Sequence, residues 1–215
     1  MLRFGPRDAP VVVAAPALFE EGNRTRAFLV RILRLLAERG VASALPDLPG
    51  QGESLLPTER ASLRNWVRAY AAAVEAVAAP RLAFSLRGGA LVDRDAPVRA
   101  RYHFAPVAGA SLVRDLLRAR RAGTGERIDA DALAPPGPPV LLAGNPLSRG
   151  LLAELAAAEP DPADRVARLR TDPGDASSRL TGRPLWRASE PDVDEALAVA
   201  VADDVAAWVR TCAAT

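Results

Sequence analysis

The chain of 215 residues contains no lysine; all 28 of its basic residues are arginine. With alanine abundant throughout, that bias reads as the imprint of a GC-rich genome rather than of a function. Cysteine occurs once, at Cys212 near the C-terminus, which leaves neither a disulfide nor a thiolate metal site. Histidine also occurs once, at His103, and this removes most transition-metal and proton-shuttle chemistries. No apolar run approaches the roughly 20 residues of a membrane span. Residues 1–10 carry no apolar signal segment, so the expectation is a cytoplasmic protein. P-loop and dinucleotide glycine fingerprints are missing, and no spacing of carboxylates suggests a metal. Neither a cofactor nor a metal is expected. Nucleic acid is disfavoured as a partner, because the net charge is only +2 and the arginines alternate with acids.

What is present describes a soluble globular protein, 49% hydrophobic and 25% charged, long enough for one domain over 1–215. Residues 11–15 form a continuous apolar run closed by Pro16, as in a strand buried on both faces. A helix follows, with Asn23 as the expected N-cap, Phe28, Leu29, Ile32, Leu33 and Leu36 inward, and Gly40 as its stop. Residues 41–45 are a second strand, and Ser62 caps a helix reaching about Ala79. Later strands are expected at 99–105, 140–143 and 166–169, with another extended piece near 183–187. Helices are expected at 111–121, 148–158 and from Pro191 to about Thr211. Strand and helix alternate throughout. The fold class is therefore α/β, a mostly parallel sheet with helices on both faces. Ligand sites in such sheets lie beyond the carboxyl ends of the strands. That edge gathers residues 18–23, 47–54, 85–89, 106–109 and 144–147.

Residues 81–91, Arg-Leu-Ala-Phe-Ser-Leu-Arg-Gly-Gly-Ala-Leu, combine a buried strand, a tight turn and a helix start. The pattern is that of a nucleophile elbow, small-x-nucleophile-x-small. With Ser85 as nucleophile, the small position two residues on would be Arg87. With the register Ser85-Leu86-Arg87-Gly88-Gly89, both flanks are small and the apex is Arg87. The second register fits better, and arginine cannot be deprotonated to serve as a nucleophile.

Several blocks together resemble the α/β-hydrolase superfamily and, within it, the exosortase-associated hydrolase type 2 group. They are PALFEEGNRTR (16–26), LPDLPGQGES (45–54), SLRGGAL (85–91), APVAGASLVRDLLRARRAG (105–123), LAGNPLS (142–148) and RPLW (183–186). The second block marks the superfamily only. The Glu-Glu-x-Asn loop, the apex arginine and the block ending Leu116-Leu117-Arg118 are more specific. Against that group's usual elbow, Gly-Leu-Arg-Leu-Gly, Arg87 and Gly89 match while Ser85 and Gly88 depart. The resemblance implies a single-domain α/β-hydrolase-like fold and a place in exopolysaccharide or protein-sorting biology.

A serine hydrolase needs nucleophile, histidine and carboxylate together. The candidates are Ser85 and His103, but the histidine normally follows the last strand, and Asn145 stands where the acid is expected. Arg87 is the alternative centre, at an edge that favours anions. Glu20 and Glu21, in the loop that holds the superfamily's oxyanion position, arrive beside it with Asn23 and Asn145. Two functions follow. One is a non-catalytic protein that binds a small anionic or zwitterionic ligand, or a protein partner. The other is a working esterase or acyl transferase that uses Ser85, or Arg87 with Glu20 and Glu21, on an acyl substrate.

Overall fold

The computed structural model of the protein describes residues 1–6, 10–78, 80–126, 128 and 133–214. Seven strands form one sheet in the order β1-β3-β2-β4-β5-β8-β9. They are β1 (Leu2–Phe4), β2 (Val11–Ala15), β3 (Ala42–Leu45), β4 (Arg81–Leu86), β5 (Ala100–Phe104), β8 (Arg165–Leu169) and β9 (Ser178–Leu180). Every pairing is parallel except β1 with β3, where Leu2 faces Leu45.

Side chains alternate across this sheet and are buried on both faces. Val12, Ala14, Phe84, Tyr102 and Phe104 pack under α1 (Phe19–Glu38) and α5 (Glu195–Ala214). Val11, Val13, Ala15 and Ala83 pack under α2 (Leu63–Glu75), α3 (Gly109–Thr124) and α4 (Arg149–Ala156). Each fully buried large side chain contributes roughly 1.5–3 kcal/mol, so the continuous apolar runs of β2 and β4 fix their central places. Ser62 and Ser148 cap α2 and α4, their side chains accepting from the backbone N–H groups of Asn65 and Leu151.

Four expectations need correction. Helix α1 starts at Phe19 and not after Asn23, so Asn23 is an exposed residue of the second turn and caps nothing. Its first turn carries Glu20 and Glu21, which suit the positive end of the helix dipole. Residues 140–143 do not join the sheet. They belong to a separate hairpin of β6 (Val140–Leu142) and β7 (Asn145–Leu147), closed by Ala143 and Gly144, both at positive φ. The piece near 183–187 is a 3₁₀ turn, Leu185–Arg187, and the edge strand lies earlier at β9. Finally, β4 leads not into an α-helix but into a 3₁₀ turn, Arg87–Leu91.

Candidate functional site at the elbow

The turn after β4 adopts the second of the two registers. Arg87 is the apex, with φ of 54°. Gly89 lies against the end of β2: a Cβ there would stand 2.3 Å from the carbonyl oxygen of Ala15 and 2.7 Å from that of Pro16. Backbone cannot yield to such contacts, so the residue must be glycine. Ser85, two residues before the apex, is completely buried.

The Arg87 guanidinium is clamped on three sides. Its Nη2 donates to Glu21 Oε1 at 2.8 Å and its Nε to Glu21 Oε2 at 3.1 Å, a bidentate pair. Its Nη1 donates to the carbonyl of Ala105 at 3.1 Å. The Trp186 ring stacks beneath it, 4.6 Å from ring centroid to guanidinium carbon. Both side chains of the ion pair are nearly buried, at 10% and 13% exposure. Beside the pair, Asn145 donates through Nδ2 to Glu20 Oε1 at 3.0 Å. The structure thus brings together Arg87, Glu20, Glu21 and Asn145. Asn23 stands one helical turn away, on the wall of a neighbouring polar pocket that Asn145 also lines.

Backbone strain converges on the same place. Among the described residues, the non-glycine positions with positive φ are Phe19, Arg87, Ala105 and Ala143, at 55°, 54°, 50° and 46°. Each such conformation costs on the order of 1–3 kcal/mol. Arg87 is the apex and Ala105 supplies its carbonyl partner. Phe19 and Ala143 line a cavity of about 610 Å³ between α1, α3 and the Trp186 turn.

Burial pushes the Glu21 carboxyl up from its ordinary value of 4.5, and Arg87, by hydrogen bond and charge, recovers only part of that cost. The folded protein therefore takes up this proton at higher pH than the unfolded chain. The contribution of Glu21 to stability is greatest below 4.5 and is lost as pH rises through the folded value. We expect the Glu21 carboxyl carbon to titrate by NMR with a midpoint above 4.5; a midpoint at or below it would mean that pairing outweighs burial.

Ser85 and His103 lie elsewhere, on the sheet face under α2–α4. They are register partners on β4 and β5 but do not bond each other. Both reach the same oxygen: Ser85 Oγ donates to Asp93 Oδ2 at 2.5 Å, and His103 Nε2 is 2.9 Å from that atom. All three are at most 1% exposed. A serine with its proton held by an aspartate, and a histidine bonded to that same aspartate oxygen rather than to the serine, is not a nucleophile with a general base. Asp93, in the connection between β4 and β5, is the residue that organises this cluster.

The fold also departs from the anion-binding geometry expected at an elbow. A five-residue 3₁₀ turn aligns few peptide dipoles, so the positive charge here is that of Arg87. An oxyanion hole uses the N–H after the apex and one from the loop after the preceding strand. Gly88, after the apex, is buried, and a Cβ on it would meet Leu112 at 2.7 Å and Leu18 at 3.2 Å. In the loop, the N–H of Phe19 already donates to Gln51 Oε1 at 3.2 Å.

No protein-family model and no curated protein matches the sequence. Solved structures do match. Est1E from Butyrivibrio proteoclasticus, determined with ferulic acid bound, aligns at TM-score 0.53 and 18% identity, over 76% of this chain and 69% of that one. A structure of the metagenome-derived lipolytic enzymes LipS and LipT aligns at 0.54 and 14%, over 98% and 96%. The pyrethroid hydrolase PytH aligns at 0.53 and 12%, over 95% and 99%. The fold is that of the α/β-hydrolases. In this α/β-hydrolase fold the elbow is kept, and an arginine occupies the position of the nucleophile.

Proposed function

We propose that this chain is a catalytically silent α/β-hydrolase-like protein that binds a small anionic or zwitterionic ligand at the Arg87 edge. We further propose, from the resemblance of its sequence blocks, that it serves as an accessory protein of an exosortase or exopolysaccharide system. The observation that carries the first reading is Arg87 at the strained apex, held by Glu21. The chemistry of the cavity supports it: no serine, threonine, cysteine, histidine, tyrosine or lysine is among the residues lining it. A bound ester would meet no group able to attack it and no base to activate water except a carboxylate. Ser85 sits behind the sheet with its proton engaged by Asp93.

A fluorophosphonate probe followed by mass spectrometry tests this, with Ser85→Ala in parallel. The expected result is no adduct on the folded protein. An adduct on Ser85 that the variant lacks would make the protein a serine hydrolase. Turnover of an ester without any adduct, abolished in Glu20→Gln or Glu21→Gln, would instead support the carboxylate chemistry of the second reading.

A further inference from the structure

The charges around the 610 Å³ cavity do not cancel locally, and this defines its ligand. Glu21 is taken by Arg87, and Asp115 by Arg118 at 2.5 Å. Glu20 is engaged by the uncharged Asn145. Arg24 lines the cavity and spends one donor on the carbonyl of Trp186, at 3.1 Å, and forms no ion pair among the described residues. The side chain of Arg187, also lining it, makes no hydrogen bond or ion pair among the described residues. Among the described residues, two guanidinium groups beside Trp186 therefore stand without an ion-pair partner against the single unpaired carboxylate of Glu20, which leaves the cavity with an excess of positive charge. The Trp186 indole N–H is itself buried with no acceptor among the described residues.

The opposite wall is apolar. It is the face of α3 formed by Leu112, Leu116, Ala119 and Ala122, facing Leu18 and Phe19. The volume falls within the roughly 300–1,000 Å³ of small-molecule sites. A long apolar surface with cationic groups at one end fits an amphipathic anion and disfavours an amine.

We propose that this cavity holds a medium-chain aliphatic carboxylate, its chain along α3 and its head between Arg24 and Arg187. The proposal rests on the reading of the site as a binder and names the ligand class for it. The carboxylate would accept from two fork-shaped donors, as arginine allows and an ammonium does not. No bond is made or broken.

Isothermal titration with sodium decanoate, below its micelle concentration, is the test, with decylamine hydrochloride and decanol as the cationic and neutral probes. Decanoate is expected to bind at least tenfold more tightly than either. Arg187→Glu should weaken decanoate at least tenfold. Ala119→Trp, at an exposed position that can take bulk without disturbing the core, should abolish binding of the chain. Decylamine or decanol binding as well as decanoate, or Arg187→Glu leaving the affinity unchanged, would overturn the assignment, as would absence of decanoate binding to the folded protein. Turnover of p-nitrophenyl decanoate that Ala119→Trp abolishes would leave the ligand class standing and sink the non-catalytic reading, so the two failures are separable.

Discussion

Asp93→Ala is expected to destabilise the protein by about 3–5 kcal/mol. The carboxylate is wholly buried, and one of its oxygens serves both the Ser85 hydroxyl and the His103 ring. Alanine would leave two buried polar groups without their partner, each costing about 1–3 kcal/mol, and a cavity besides. Among the described residues the second oxygen accepts no hydrogen bond, and Arg101 Nε lies 4.0 Å from it. Arg101 itself is tied to the carbonyls of Asp93, Arg94 and Ala96, so the change would also loosen the turn that carries residue 93. Urea unfolding measures it. Asp93→Asn keeps the shape and one acceptor and should lose clearly less. Equal loss in both variants would mean that charge, not hydrogen bonding, holds the cluster. A loss under about 1 kcal/mol in Asp93→Ala would show that the cluster is not structural.

Arg87→Ala is the second large effect, and its size depends on pH. Removing one partner of a nearly buried ion pair costs about 3–5 kcal/mol, because the other charge is left in a poor solvent. Glu21 has an escape, since burial already raises its proton affinity. Once protonated it needs no cation. The cost of Arg87→Ala should therefore be near 3 kcal/mol or more at pH 7 and smaller at pH 5. Chemical denaturation at the two pH values reads the difference directly. The same ΔΔG at both would mean that Glu21 is not the group left unpaired. Ligand affinity at the adjoining cavity should fall at least tenfold, since the freed Glu21 then faces any anion. Arg87→Lys keeps the charge but loses the two-pronged contact and the stacking on Trp186, so it should rescue stability only in part.

Much of the fold was legible because period and punctuation agreed. The apolar runs at Val11–Ala15 and in Arg81–Leu86 required two covered faces, and Ser62 and Ser148 marked real helix starts. Misplacements came where tertiary context decides. Asn23 looked like a cap, but the chain turns earlier, through the positive φ of Phe19, and Gln51 from a distant loop takes that residue's N–H. Residues 140–143 have a strand's composition, and no local signal says whether such a strand joins the main sheet or folds back on its neighbour. The elbow register was legible from the sizes of Ser85, Arg87 and Gly89. The Arg87 partners were legible only in part: the Glu20-Glu21 loop was, whereas Ala105 at the end of β5 and Trp186 in the 3₁₀ turn Leu185–Arg187 are brought beside it only by the tertiary fold. Asp93 carried a faint signal, a carboxylate eight residues past Ser85 in too short a connection for a helix to carry it away.

That short connection has a consequence for how the chain assembles. Parallel neighbours need a crossover, commonly of a dozen or more residues with a helix inside it. Here residues 87–99 join β4 to β5 with only the 3₁₀ turn Arg87–Leu91 among the described helical elements, and residues 170–177 join β8 to β9 with none. Loop-closure entropy grows with the logarithm of loop length, so these two parallel pairs close at low entropic cost. The pairings of β2 with β4, from Val11 to Arg81, and of β5 with β8, from Tyr102 to Arg165, are the demanding closures. Glycine at residue 89, seated on the carbonyls of Ala15 and Pro16, sits at the point where the closure of β2 with β4 is completed. The elbow is thus the latch of the sheet, which gives the chain a reason to keep its geometry with an arginine at the apex.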